Sequence, residues 1–156
     1  MDSTVIYEYL LSRIQEDLAN YGYSRSGKSG LFYRYSADKK VGCVIEMQKS
    51  MLNSPESYSF TFNLLCVGLY DLDDYFNDRL TISAIRTCLQ NPFITERIGI
   101  LCRGRDYWWE ITDDILSEHS MQAYYDRFIL DDIQKSAVYL DEQAEKKESV
   151  YTDTKQ

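Results

Sequence analysis

The most distinctive side chains in this sequence surround the pair Trp108 and Trp109 in the stretch DYWWEI. Neighbouring residues in a β-strand point to opposite faces, so one indole enters the core and the other faces away from it. Trp109 shares its face with Tyr107 and Ile111, which predicts that Trp109 is the core residue. Trp108 then shares the opposite face with Glu110, where its amphipathic ring could act as an apolar platform for a ligand.

Strand alternation also supplies polar companions for Trp108 on that second face. Polar groups arranged around an indole could form a shallow binding surface with directional hydrogen bonds. The alternative is an ordinary solvated sheet face, on which cross-strand charge pairs contribute little. The candidate binding residues are Arg34, Glu46, Gln48, Asn63, Arg97, Trp108 and Glu110.

Two pairs of residues raise the alternative of an enzyme. Glu46 and Glu110 share the Trp108 face by alternation, and a hydrolase would need two carboxylates across a cleft. Cys102 and His119 are the available nucleophile and base, although a lone histidine near a helix start is more often a surface or capping residue. The alternative to a binding protein is therefore a small-molecule-binding or hydrolase domain around Trp108, and we identify no catalytic residue.

Phosphate binding is a weaker hypothesis. No predicted strand precedes the Gly-Lys-Ser of SRSGKSG, so we interpret that segment as a loop. Arg97, Arg103 and Arg105 form a basic cluster in ERIGILCRGRD. Because acidic residues flank the cluster, a solvated ion-pair network is favoured over a phosphate site, which stays open as an alternative.

The acidic balance of the chain bears on its partners. Its formal net charge is −8 and its pI is about 4.6, which opposes non-specific binding to nucleic acid, because phosphates must be neutralised by Lys and Arg. A basic protein partner would be attracted, although moderate charge also simply keeps small proteins in solution.

Other composition features indicate a cytoplasmic protein without metal or cofactor. The four cysteines are widely spaced and form no CxxC motif, which is typical of reduced core thiols, and the single histidine cannot complete a zinc site. The N-terminus MDSTVIYEYL has no basic region ahead of an apolar run, so no secretory signal is expected. No stretch approaches the roughly 20 apolar residues of a membrane span. The oligomeric state is left open.

Periodicity predicts the elements that must position these residues. An amphipathic helix is expected over residues 5–21, followed by a hairpin over 31–36 and 41–50 and a strand over 58–70. A short helix follows over 81–91, then a strand over 94–103 that forms a hairpin with DYWWEI. Residues 121–140 form one helix or two that meet near the sequence LDD.

This order predicts a two-layer α+β domain over residues 1–140. Its sheet is mainly antiparallel and five-stranded, with the N-terminal and C-terminal helices packed on one face. Both faces of the third strand become apolar over residues 65–69, so that end should be covered twice. Residues 141–156 are predicted to be a flexible or frayed tail, since they have little to bury.

Five segments together resemble a bacterial family known only as a domain of unknown function, the domain of unknown function 4304 family. They are GYSRSGKSGLFYR, VIEMQKSMLNS, FTFNLLCVGLY, ERIGIL and DYWWEI. The resemblance covers most of residues 5–140. Tyr23 stands where the family has Phe, and Leu64 and Leu65 interrupt the family spacing in the third strand. The resemblance implies a bacterial, cytoplasmic α+β domain and supplies no activity.

In general character, a small acidic α+β protein of this kind is also similar to immunity proteins that neutralise basic toxins. This is an analogy at the level of class. It predicts a non-enzymatic binding protein whose complex depends on charge complementarity and weakens with salt.

Overall fold

The computed structural model describes residues 1–72 and 78–153. Within these ranges the chain contains six helices and six strands, and a short 3₁₀ turn follows β4 at Leu69–Asp71. In chain order the elements are α1 (Ser3–Ala19), β1 (Ser24–Arg25), β2 (Leu31–Tyr35), β3 (Val41–Lys49), β4 (Ser57–Gly68), α2 (Ile82–Leu89), β5 (Glu96–Arg97), α3 (Ile98–Arg103), β6 (Trp109–Thr112), α4 (Asp113–Glu118), α5 (Met121–Phe128) and α6 (Leu130–Asp153).

The strands form one sheet in which every pairing is antiparallel. Strands β1, β2, β3 and β4 lie side by side in chain order. Both β5 and β6 pair with the far edge of β4, with β6 beside its N-terminal part and β5 beside Asn63 and Leu64. The predicted α+β class, with a mainly antiparallel sheet and N- and C-terminal helices, is confirmed.

A helical layer of α1, α5 and α6 covers one face of the sheet. Alternate residues of β4 enter this layer, because strand side chains point to one face at every second position. Phe60 and Phe62 are fully buried there, against helix residues spaced three or four apart such as Leu10 and Ile14. Helix α1 begins after Asp2, whose carboxylate accepts from the amides of Thr4 and Val5 and so caps the helix.

The opposite face of the sheet is partly covered by α2. Ile85 of this helix packs with Val44, Leu65 and Val67 in a second buried cluster. The prediction that the 65–69 end is covered on both faces is therefore confirmed. The N-terminal and C-terminal helices lie on one face as predicted, and α2 adds a partial third layer to the two that were predicted.

The prediction of a strand over residues 94–103 is wrong except at two residues. Only Glu96–Arg97 is strand, and Ile98–Arg103 is helix, ended by Gly104 with a positive φ of 71°. Ile98 is buried whereas Ile100 is 48% exposed, so the two isoleucines do not share a strand face. The predicted hairpin with DYWWEI is also absent from the described pairings: β5 and β6 each pair with β4.

The prediction of a flexible or frayed tail over residues 141–156 is wrong for residues 141–153, which the structure describes as helix. Helix α6 continues to Asp153, and Ala144 and Tyr151 are both 5% exposed. The hydroxyl of Tyr151 accepts a 2.6 Å hydrogen bond from the backbone amide of Tyr70, and Lys147 pairs with Asp71 at 2.8 Å. These contacts hold the C-terminal half of α6 against the end of β4.

The two-helix alternative for residues 121–140 is confirmed. Helix α5 ends at Phe128 and α6 begins at Leu130, which is the first residue of the sequence LDD. Among the described residues, every helix is too short or too polar to cross a lipid bilayer.

Candidate functional site

The two neighbouring indoles separate as strand alternation predicts. Trp109 is 1% exposed and stacks on Phe60, with ring centroids 5.8 Å apart and planes inclined by 10°. Its Nε1 donates a 2.7 Å hydrogen bond to the backbone carbonyl of Phe128, so its one polar atom is satisfied within the core. Trp108 is only partly buried. Trp109 is therefore a structural residue, and Trp108 is the indole available to a ligand.

Trp108 is held at the edge of the sheet by two charged neighbours. Its Nε1 donates to the Asp106 carboxylate at 3.2 Å, and the Arg97 guanidinium carbon lies 5.2 Å from its ring centroid. A cation over an indole face is attracted by the ring quadrupole. Arg97 is also 4.0 Å from the Asp106 carboxylate. These contacts fix the position of the ring and leave part of its surface exposed.

A polar row crosses the sheet beside Trp108. The strand registers place Glu46 opposite Asn63, and Asn63 opposite Arg97. The Asn63 amide nitrogen donates to Gln48 Oε1 at 2.9 Å and to Glu46 Oε1 at 3.3 Å. Asn63 itself is 8% exposed, whereas Glu46 and Gln48 are partly exposed. The structure therefore brings five of the seven predicted residues together: Glu46, Gln48, Asn63, Arg97 and Trp108.

The placement of Arg34 on this face is wrong. Arg34 lies opposite Cys43, which is buried beneath the helical layer. Its guanidinium forms an ion pair with Asp141 of α6 and donates to the backbone carbonyl of Tyr21 at 3.1 Å. Alternation within β2 is regular, but its register against β3 puts Arg34 on the helix side.

Glu110 lies on the predicted face but at a distance from Glu46. It is opposite Ser59, and its carboxylate accepts from the Ser57 hydroxyl at 3.0 Å. With about 3.3 Å per residue and about 4.8 Å between strands, the Cα atoms of Glu46 and Glu110 are about 16 Å apart. The two carboxylates are also bound to different residues of β4, Glu110 to Ser57 and Glu46 to Asn63. This argues against their facing a common cleft as a catalytic pair.

The other candidate pair, Cys102 and His119, consists of residues that contact different neighbours. The Cys102 thiol contacts the backbone carbonyl of Asp132 at 3.9 Å, and burial raises its pKa, which favours the unreactive neutral form. The His119 ring packs edge-on against Phe128, with centroids 5.8 Å apart. The described contacts of these two residues therefore do not join them as nucleophile and base.

The basic cluster is likewise divided. Arg103 pairs with Asp132 at 2.8 Å and lies 3.9 Å from the centroid of the Tyr107 ring. Arg97 instead belongs to the Trp108 face. The carboxylate of Glu96 accepts from the Tyr139 hydroxyl at 2.7 Å. The predicted ion pairs are found for two of the three arginines: Arg97 lies near Asp106, and Arg103 pairs with Asp132.

Residues 22–29, GYSRSGKS, have the G-x-x-x-x-G-K-S spacing of a P-loop. A P-loop lies between a strand and a helix and directs its amides inward at a phosphate. Here the segment lies between α1 and β2, and the carbonyls of Lys28 and Ser29 accept from the Arg25 guanidinium. The amides of Ser26 and Ser29 are bonded to backbone carbonyls. The segment is therefore an arginine-braced turn.

Three cavities are described, and none of them is lined by Trp108. The largest, about 720 Å³, lies between the start of α1 and the connection from β3 to β4. A second of about 400 Å³ is lined by Arg34, Cys43 and Asp141, and a third of about 240 Å³ by residues including Cys66 and Tyr139. The partly exposed Trp108 and the polar row beside it are described here as a surface patch.

One side-chain cluster on the helix-covered face was not predicted from the sequence. It consists of Tyr23, Arg34, Cys43, Cys66 and Asp141. Cys43 and Cys66 are 23 residues apart in sequence, and only the register of β3 against β4 makes them neighbours. Alternation within either strand carries no signal of this pairing, because the register between strands depends on packing.

The fold and the site define an α+β protein built on an antiparallel sheet, with a restrained polar patch beside an edge tryptophan. The chain belongs to the family described as "Domain of unknown function (DUF4304)", whose model matches residues 14–148. The resemblance to that family is thereby confirmed. Neither the curated proteins nor the solved structures contain a match to the chain.

Proposed function

We propose that this chain is a non-enzymatic binding protein that engages a basic protein partner through the sheet face around Trp108. The observation that supports it most directly is a partly exposed indole fixed beside a hydrogen-bonded polar row. Trp108 is positioned by Arg97 and Asp106, and Asn63 is restrained by Gln48 and Glu46.

Rigid aromatic side chains are effective anchors in protein interfaces. They bury a large area at low entropic cost, and interface hot spots are enriched in Trp, Tyr and Arg. The Trp108–Arg97 pair supplies two of these residue types at one point. Since its polar neighbours are already restrained, a partner would lose little free energy in ordering them.

Charge supports a basic partner. The chain has a formal charge of −8. The patch contains the acidic Glu46 and Asp106 and the cation Arg97, and Glu110 lies farther along the same face of the sheet. A basic surface would be drawn to this face, and the association rate would fall as salt screens the attraction. The analogy with immunity proteins, which bind basic toxins, belongs to this proposal.

The proposed location is cytoplasmic. The structure describes Cys43, Cys66, Cys88 and Cys102 as free thiols, a state that a reducing compartment maintains. The bacterial origin implied by the family resemblance stays a prediction.

The proposal is tested by affinity capture of the tagged chain from its native host at low and at high salt, with bound proteins identified by mass spectrometry. The expected result is one basic partner in near-stoichiometric amount that is lost at high salt. The captured partner is then titrated against purified variants. Trp108→Ala should weaken binding about tenfold or more, as loss of an interface anchor does.

Two matched controls separate the patch from the rest of the surface. Val138, 49% exposed on α6, is an apolar residue of the helical layer, and Val138→Ala should leave binding unchanged. Glu110→Gln should reduce the association rate at low salt more than Glu142→Gln, a change of the same charge on α6. Equal effects of the two glutamate changes, or full affinity in Trp108→Ala, would refute this face as the binding surface.

A chain that captures no protein at either salt would contradict the proposal of a protein partner. The small-molecule alternative would then be tested by metabolite-induced changes in tryptophan fluorescence. Its signal should come from Trp108 and disappear in Trp108→Phe, since Trp109 is enclosed in the core.

A further inference from the structure

Cys43 of β3 and Cys66 of β4 are directly opposite in the antiparallel ladder. The amide of Leu69 donates to the Lys40 carbonyl at 2.7 Å, and the amide of Ser50 donates to the Ser59 carbonyl at 2.9 Å. These bonds mark hydrogen-bonded pairs, which alternate with non-hydrogen-bonded pairs along the ladder. The hydrogen-bonded pairs therefore fall at the even-numbered residues along β3, from Lys40 just before it to Ser50 just after it. Cys43 is odd-numbered, so Cys43–Cys66 is a non-hydrogen-bonded pair.

That class of pair suits a cross-strand disulfide. Its Cα atoms are about 4.5 Å apart and its side chains are closer than in the hydrogen-bonded class, which lies within the range of about 4.4–6.8 Å found in disulfides. The two Sγ atoms are already 4.0 Å apart. The disulfide would require only small side-chain rotations and no movement of the strands.

The surroundings of the pair favour a thiolate at Cys43. The Arg34 guanidinium lies 4.0 Å from the Cys43 Sγ. Contact with the Cys66 thiol, opposed by burial and aided by the Arg34 charge, lowers the pKa of Cys43. The same contact, together with burial, raises the pKa of Cys66. Cys43 is therefore the more acidic thiol of the pair and the better nucleophile once ionised. As a neutral thiol, Cys43 donates to the Leu140 carbonyl at 3.5 Å.

Cys43 and Cys66 each line a separate cavity at the flanks of α6, and Cys43 is 1% exposed. Cys43 lines the cavity of about 400 Å³ with Arg34 and Asp141, and Cys66 lines the one of about 240 Å³ with Lys147. Both cavities exceed the roughly 30 Å³ that a water molecule occupies in the liquid. A small oxidant such as hydrogen peroxide is close to water in size and fits either one.

We propose that Cys43 and Cys66 are a redox-active thiol pair that hydrogen peroxide converts to an intramolecular disulfide. The Cys43 thiolate attacks one peroxide oxygen, so that an S–O bond forms, the O–O bond breaks and the leaving hydroxide is protonated to water. The Cys66 sulfur then attacks the Cys43 sulfenic acid. The S–S bond forms as the S–O bond breaks, and the departing hydroxide takes the Cys66 proton as water. Two electrons pass from the sulfurs to the peroxide.

The test treats the folded full-length chain with hydrogen peroxide, alkylates the remaining thiols and counts them by mass spectrometry. Two of the four thiols should be lost, and peptide mapping should join Cys43 to Cys66. The double variant Cys88→Ser/Cys102→Ser is the matched control and should lose its only two thiols equally fast. In Cys66→Ser, dimedone should trap a sulfenic acid on Cys43.

The role of Arg34 is read from the rate of that trapping. Arg34→Met in the Cys66→Ser background should slow dimedone labelling of Cys43, with circular dichroism verifying that the variant is folded. Retention of four thiols, a disulfide between any other two cysteines, or labelling of Cys88 or Cys102 ahead of Cys43 would overturn the proposal. The measurement on the unsubstituted chain decides it even if a variant does not fold.

Discussion

The guanidinium carbon of Arg97 lies 5.2 Å from the centroid of the Trp108 ring. The contact joins β5 to the residue preceding β6, two segments that pair with β4 but not with each other among the described strands. The edge of the sheet is thus bridged by side chains, and the same bridge fixes the indole that we propose as the binding anchor.

Replacing the two neighbouring tryptophans should destabilise the protein to very different extents. Trp109→Ala should lower the free energy of unfolding by about 3–5 kcal/mol, because a fully buried indole leaves a large cavity. Trp108→Ala should cost about 1 kcal/mol or less, the contribution of an exposed cation–π contact. Urea denaturation of both variants measures the difference. Comparable losses would mean that Trp108 is a core residue and that the binding-face assignment is wrong.

Truncation tests the role of the C-terminal half of α6. A chain ending at Leu140 loses the buried Ala144 and Tyr151 and the Lys147–Asp71 pair, so it should be destabilised by about 3 kcal/mol or more. A chain ending at Asp153 keeps these contacts and serves as the control. Thermal unfolding compares the two, and equal melting temperatures would support the frayed tail that the sequence predicts.

Gly99 should not tolerate a side chain. A Cβ at this position would meet the backbone amide nitrogen of Tyr107 and come within 2.6 Å of the Arg105 carbonyl oxygen. These are backbone atoms that cannot rotate away, so Gly99→Ala should cost about 1–3 kcal/mol or more. Ile100→Ala in the same helix removes a half-exposed side chain and should cost less than about 1 kcal/mol. Chemical denaturation of both variants tests this ordering.

Alkaline pH should destabilise the protein through its buried phenols. Burial and the Asp17 carboxylate raise the pKa of Tyr125, and burial and Glu96 raise the pKa of Tyr139 to about 12. A raised pKa in the folded state means that the folded chain holds these protons more tightly than the unfolded chain. The stabilisation is therefore complete below the unfolded pKa of about 10 and is lost as the pH rises toward 12.

The measurement is the free energy of unfolding at a series of pH values from 8 to 11.5, with tyrosinate absorbance recorded in parallel. The decline should begin near pH 10 and be shallower in Tyr125→Phe, which lacks one of the raised phenols. A decline of the same slope in Tyr125→Phe would show that this phenol does not contribute to the pH dependence.

Local periodicity was sufficient for much of the fold. Two-residue alternation in β4 and in DYWWEI predicts which side chains enter the core, and the opposite environments of Trp108 and Trp109 follow from it. Three- and four-residue spacing predicts α1, α2 and the α5–α6 pair. These patterns are local, since they depend only on the geometry of consecutive residues.

The error at Ile98–Arg103 arose because a short apolar pattern fits both a strand and a helix. Isoleucines at 98 and 100 suggest a strand, but the buried contacts are made by Ile98 with Leu101 and Cys102, at helical spacing. The tail was missed for a related reason. Ala137, Leu140, Ala144 and Tyr151 continue one apolar stripe at helical spacing, but the abundant charges around them obscure it.

By itself, the sequence determined the helical and strand character of most segments, the acidic charge and the α+β class, because these depend on composition and on neighbours along the chain. Only the tertiary structure decided that Arg34 pairs with Asp141, that Glu46 and Glu110 lie far apart, and that Cys43 meets Cys66. Those relationships depend on the register between strands and on which edge each strand joins. Register arises from packing between residues distant in sequence, so alternation within a single strand cannot supply it.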